Sequence, residues 1–275
     1  MTDQTPDSDE ELGQMTLLDH LTELRNRIGL IALAFVVIFM ASFIRPFGSG
    51  TMNAADWVFF QLQAPLAELL LARGEGGRMI FTGLHEGFFT QVKVAFFISI
   101  SITFPFILLQ VWRFVAPALY KNEKGAFLPF LLATPLLFAA GAAMVYFLVA
   151  PLAFEFFLSF QTTGREGGLA IELESRISEY LSLMMRLMFA FGVAFELPVV
   201  LLLLVKAGLM TAEGMARQRK YAIVLAFVAA AILTPPDVVS QVLLALPIII
   251  LYEVSIFLAR ILVKKREEAE SEWEA

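Results

Sequence analysis

Six stretches of this chain carry no charge or only one: Ile28–Ile44, Val94–Val111, Ala126–Val149, Leu187–Val205, Tyr221–Thr234 and Val238–Ala259. They are 17, 18, 24, 19, 14 and 22 residues long, against the roughly 20 needed to cross a hydrocarbon core of about 30 Å. Backbone polar groups find no water in lipid and must bond within their own segment, so each run reads as a transmembrane α-helix. The expected fold class is an all-α integral membrane protein of six transmembrane helices. The fifth run is short, since 14 residues rise only about 21 Å, so a locally thin bilayer is expected beside it. Pro105, Pro129, Pro135, Pro198 and Pro247 fall inside the runs. Each removes a helix hydrogen bond, and several bends together predict a concave, Pro-kinked bundle.

Composition agrees: 59% of the residues are hydrophobic and 17% charged. With no Cys, disulfides and thiolate metal sites are excluded. The net charge of −6 averages unlike regions. If the N-terminus is cytoplasmic, thirteen Lys and Arg lie on that side and seven on the other, Lys93 and Arg186 among them. That bias predicts both termini inside. The organisation expected is an N-terminal tail and amphipathic lead-in helix over 1–27, a membrane domain over 28–260, and a charged cytoplasmic tail over 261–275. Residues 1–24 hold seven carboxylates and no Lys or Arg, unlike the basic start of a signal peptide. Trp57–Leu71 and Ile171–Met185 have apolar residues at helical spacing and read as short helices on the outer face.

Three polar features stand out. Residues 15–27 form an amphipathic helix in which His20, Glu23 and Arg27 share one face, so a Glu23–Arg27 pair is expected. Glu196 lies mid-span, where a charge costs roughly 2.5–3.5 kcal/mol. It reads as a neutral group bonded to backbone freed by Pro198, a dock for a polar residue of another helix, a substrate contact or a proton carrier. Glu253 near the end of the last run should reach the interface or pair with a nearby cation. Asp237, after Pro235-Pro236, is placed to cap the final helix, with Gln241 one turn on. No His-Glu-x-x-His and no Gly-x-x-x-x-Gly-Lys occurs, which argues against a metalloprotease or a nucleotide hydrolase and predicts no enzyme activity, cofactor or catalytic metal. Basic residues scattered among short loops argue against nucleic acid as a partner. A proton-coupled secondary transporter using Glu196 is the alternative function, although few intramembrane polar groups support it.

Four motifs in order carry a resemblance: His20-Leu-Thr-Glu-Leu-Arg-Asn-Arg27, Gln110-Val-Trp-Arg-Phe-Val-Ala-Pro-Ala-Leu-Tyr-Lys-Asn-Glu123, Phe191-Gly-Val-Ala-Phe-Glu-Leu-Pro198 and Leu233-Thr-Pro-Pro-Asp-Val-Val-Ser-Gln241. Over about residues 15–265 the chain resembles the TatC family, the multispanning receptor subunits of the twin-arginine protein translocase. The resemblance implies a glove-like six-helix bundle in the bacterial inner membrane that receives folded proteins bearing Arg-Arg signal peptides, with export driven by the proton-motive force. It implies Glu23 and Glu123 as the carboxylates that meet the two arginines, with His20, Arg25 and Phe114 on the same surface. Planar guanidinium forks suit carboxylates in a way that a lysine point charge does not. It further implies single-span TatA- and TatB-type partners near Glu196, Asp237 and Gln241, surrounding membrane lipid, and a homo-oligomer within a larger complex.

Overall fold

The computed structural model describes residues 17–45, 51–74, 78–119, 128–162, 174–234 and 238–274. It contains α1 (Leu17–Ala41), α2 (Ala54–Ala72), β1 (Met79–Ile80), α3 (Glu86–Leu119) and α4 (Leu128–Met144). A π-helical turn over Val145–Val149 then leads into α5 (Ala150–Leu158). After β2 (Ser175–Arg176) come α6 (Ile177–Ala194), α7 (Leu197–Lys206), α8 (Ala212–Arg217), α9 (Arg219–Leu233) and α10 (Val238–Glu274). Among the described residues, five helical stretches are long and apolar enough to cross a membrane: Leu21–Ala41, Glu86–Arg113, Ala133–Leu158, Ile177–Lys206 and Gln241–Lys265. Helix α9, over the fifth uncharged run, has 15 residues and rises about 22 Å, shorter than those five and in keeping with the short run read from the sequence. The protein is an all-helical, multi-pass membrane protein. The side from which α1 starts is called the near face below, and the opposite side the far face.

Several boundaries move. The lead-in helix and the first span form one continuous helix, α1. The third run continues past Val149 to Leu158, with Pro151 directly after the π-helical turn, where the helical hydrogen-bond pattern has already shifted. Residues 177–185, expected as part of a separate surface helix, are the first turns of α6, which runs unbroken to Ala194. Arg186 ended the uncharged run without ending the helix, because it lies on an exposed side of α6. The fourth span is interrupted at Phe195–Glu196, ahead of Pro198 in the first turn of α7, whereas Pro135 and Pro247 sit within continuous helices. The final helix runs on through the charged tail to Glu274.

The core forms where α3, the π-helical turn, α5 and α6 meet, around Val94, Ala95, Val145, Leu181 and Met184, none of them solvent-accessible. Close approach of α4 and α6 depends on two glycines. A Cβ at Gly141 would stand 2.4 Å from the carbonyl oxygen of Phe191, and one at Gly192 would stand 2.5 Å from the Phe138 ring. Small residues are how membrane helices bring backbones together in the absence of a hydrophobic drive between them. Phe104, Phe138 and Phe189 pack beside this crossing with ring centroids 4.9–5.9 Å apart.

Two far-face loops are tied together. Met79 and Ile80 pair in parallel with Ser175 and Arg176. Glu86, opening α3, accepts from the Thr82 amide at 2.7 Å, the Gly83 amide at 3.2 Å and the Ser178 hydroxyl at 2.5 Å. Residues 96 apart thus form one cap, which also carries the Arg78–Glu174 pair at 2.9 Å.

Gly141→Ala should cost about 1–3 kcal/mol and lower the thermal unfolding midpoint of the detergent-solubilised protein, because the added methyl meets rigid backbone. Gly29→Ala, where nothing lies within 4 Å, should leave the midpoint unchanged.

Candidate functional site

Near-face polar groups converge on Arg27. Its Nε donates to Glu23 Oε1 at 3.0 Å and Nη2 donates to the same oxygen. Nη1 donates to Gln110 Oε1 at 3.1 Å, and Nη2 also reaches the Arg113 carbonyl at 3.4 Å. One guanidinium therefore joins α1 to the near end of α3. The expected Glu23–Arg27 pair is present, and it is only partly exposed, 29% for Glu23. Both donations to Glu23 fall on Oε1, and among the described residues Oε2 accepts none. The result is an oriented carboxylate with one edge open, able to accept a second cationic fork.

Arg25 is exposed two positions from Glu23, and Phe114 follows Arg113 on the helical backbone of α3. Glu23, Arg25 and the Phe114 position thus belong to one end of the α1–α3 pair. His20 lies in the first turns of α1, with its side chain outside the described residues, as are Glu123 and Asp237. Gln110, only 5% exposed, went unrecognised as a support residue in the sequence; its four-residue spacing from Phe114 on α3 was the available signal.

Glu196 is 2% exposed and stands at the interruption between α6 and α7. Neither carboxylate oxygen closes a hydrogen bond of good geometry, and the Thr134 hydroxyl of α4 is the polar group beside it. Thr134 is itself 3% exposed. A buried acid so poorly supplied is expensive to keep and available to an incoming donor. Gln241 is half-buried one turn into α10. No hydrogen bond or ion pair joins it to Glu196, which lies near the middle of the fourth run while Gln241 lies near the start of the last. Glu253 pairs with Arg219 through two bonds of 2.7 and 2.8 Å, as expected for an acid needing a cation at the interface. Among the described residues no group of three or more His, Cys, Asp or Glu could hold a metal ion.

The family model described as "Sec-independent protein translocase protein (TatC)" matches residues 19–247. The Sec-independent protein translocase protein TatC of Magnetococcus marinus is 47% identical over 259 residues, covering 94% of this chain and 89% of the relative. That of Escherichia coli K12 is 40% identical over 254 residues, 92% of each. A crystal structure of the twin-arginine translocase receptor TatC in the detergent DDM superposes with a TM-score of 0.74 at 41% identity, covering 87% of this chain and 99% of that one.

The Arg27 cluster predicts a measurable weakness. Arg27→Leu removes the polar link between α1 and α3, so amide hydrogen exchange in the first three turns of α1 should accelerate about tenfold or more, given about 1.5–3 kcal/mol for a charged hydrogen bond. Exchange in the Phe35–Phe96 region, where rings pack 5.2 Å apart, should stay unchanged.

Proposed function

The chain belongs to the TatC family of Sec-independent protein translocase proteins, and from that premise we propose that it is the receptor and scaffold subunit, binding Arg-Arg signal peptides of folded precursors at its near face. The single observation that carries this is the half-used carboxylate of Glu23. Arg27 fixes its orientation through one oxygen and leaves the other edge available. In this reading Glu23 and Glu123 each take one arginine, Phe114 shields the pair from water, and His20 and Arg25 shape the surrounding surface. Partial burial matters because an exposed ion pair contributes only about 0–1 kcal/mol.

The near face is cytoplasmic in this proposal, supported by the thirteen-to-seven distribution of Lys and Arg. All six runs then cross the bacterial inner membrane, α9 included, and both termini lie inside. The fit of α9 as a crossing helix is supported by its antiparallel course beside α10: Arg219 meets Glu253 at one end, while Leu233 and Thr234 reach the far-face cavity lined by Ser178 at the other. The role is transport and not catalysis. TatA- and TatB-type single-span subunits dock through polar positions at Glu196, Asp237 and Gln241, and the proton-motive force drives export by a larger assembly containing more than one copy. Six helices of this size are too few to enclose a folded protein, so the pathway requires those partners.

Glu23→Gln should weaken binding of a synthetic Arg-Arg signal peptide about tenfold and erase its advantage over a Lys-Lys version, measured by site-specific crosslinking to the full-length protein in membranes. Equal crosslinking by wild type and variant would remove Glu23 from the receptor surface. Glu196→Ala should reduce crosslinks from Gln241 to single-span partners while the protein still inserts. Unchanged crosslinks and transport would leave Glu196 a structural role, and proton-coupled flux of a small solute through liposomes would favour a carrier.

A further inference from the structure

At the far face a cavity of about 620 Å³ opens between α3, α5, α6 and the end of α9. Lys93, Arg176 and Arg186 line it, together with the hydroxyl-bearing Ser178, Ser182 and Tyr180. Two carboxylates also stand there, and each already has a cation: Glu174 bonds Arg78 at 2.9 Å and Glu179 bonds Arg176 at 2.7 Å. Lys93 reaches only the Ser182 hydroxyl, at 3.3 Å. Arg186 makes no hydrogen bond or ion pair among the described residues. Two positive charges in the cavity are therefore uncompensated.

Their depth is informative. The uncharged run of α3 begins at Val94 and that of the fourth span at Leu187, each one residue beyond these cations. Lys93 and Arg186 thus mark the level at which hydrocarbon gives way to headgroups, where lipid phosphates lie. Beneath them the cavity's own floor is an apolar cleft formed by Phe154, Phe157 and Leu183, and the space behind it toward Leu187, Leu243 and Leu244 closes to about 10 Å³. A charged mouth above an apolar cleft has the polarity gradient of a phospholipid, and unpaired cations select its sign.

We propose that this cavity is a binding site for one anionic phospholipid of the far-face leaflet, with its phosphate between Lys93 and Arg186 and the start of an acyl chain over Phe154, Phe157 and Leu183. The hydroxyl of Ser182, which now accepts from Lys93 at 3.3 Å, keeps its own proton to donate to a remaining headgroup oxygen. The lipid would fill the groove between α5, α6 and the end of α9. This inference does not depend on signal-peptide recognition or on which face is cytoplasmic.

The test is native mass spectrometry of the purified, delipidated full-length protein, titrated with phosphatidylglycerol and phosphatidylcholine of matched acyl chains. Wild type should hold one phosphatidylglycerol about tenfold more tightly than phosphatidylcholine. The double variant Lys93→Gln/Arg186→Gln should bring the two lipids to near parity. Lys93→Arg/Arg186→Lys, which keeps both charges, should retain the preference and shows that the loss is not a folding failure. Equal binding of the two lipids by wild type, or an undiminished preference in the Gln variant, overturns the proposal. Displacement of phosphatidylglycerol by millimolar inorganic phosphate would mean that a free anion is the ligand. Crosslinking from Leu183 to a single-span helix, undisturbed by added anionic lipid, would mean that an acidic protein segment occupies the cavity. Either result also overturns the proposal.

Discussion

Hydrocarbon tolerates a charge only where a partner or the interface is within reach, and this constraint orders the whole molecule. At the near face Arg27 is held by Glu23, Gln110 and the Arg113 carbonyl, and Arg219 by Glu253. At the far face Arg78 and Arg176 have their own carboxylates. Lys93 and Arg186 stand at the hydrocarbon boundary. Glu196 alone among the described carboxylates is buried deep in the bundle, 2% exposed. The helices are apolar enough to be interchangeable, so the placement of a handful of charges fixes their depth and direction.

The two faces are built differently. Backbone pairing between β1 and β2 and the hydrogen bonds to Glu86 join segments distant in sequence into one far-face cap. At the near face, side-chain contacts between neighbouring helices predominate, and α1 packs chiefly on α3. Side-chain links are more readily exchanged than backbone ladders. Under the proposed receptor role, a face that admits a cationic ligand gains from such exchangeable bonds, whereas the cap has the character of a fixed support.

Five spans, the short run of α9, the Glu23–Arg27 pair and the need of Glu253 for the interface or a nearby cation were legible in the sequence, because each depends on local periodicity or on the cost of charge in lipid. The start of α6 was not, because Arg186 broke an uncharged run while pointing into a cavity. Charge position reports the membrane boundary, and a helix can extend well past it. The β1–β2 pair was equally hidden, since two residues on each side leave no periodic signal. Gly141 looked like any small residue in an apolar run; only the distance to Phe191 reveals what it permits. At the near-face site the sequence supplied the ion pair but not Gln110, whose role arises from the meeting of α1 and α3.

The last helix has an electrical consequence. Helical backbone continues from Arg260 to Glu274, about 22 Å beyond the apolar run. The cations at 260, 264, 265 and 266 come first, and the acids at 267, 268, 270, 272 and 274 follow. The two clusters meet where Lys264 pairs with Glu268 at 3.7 Å, but the ends of the rod, Arg260 and Glu274, stand about 21 Å apart, well beyond the screening length of about 8 Å at physiological ionic strength. Lipid headgroups feel the positive root of this rod, while a protein arriving from solution meets its negative tip first. This helix is thus cationic at its membrane root and anionic at its tip, a sign reversal that a single net charge conceals.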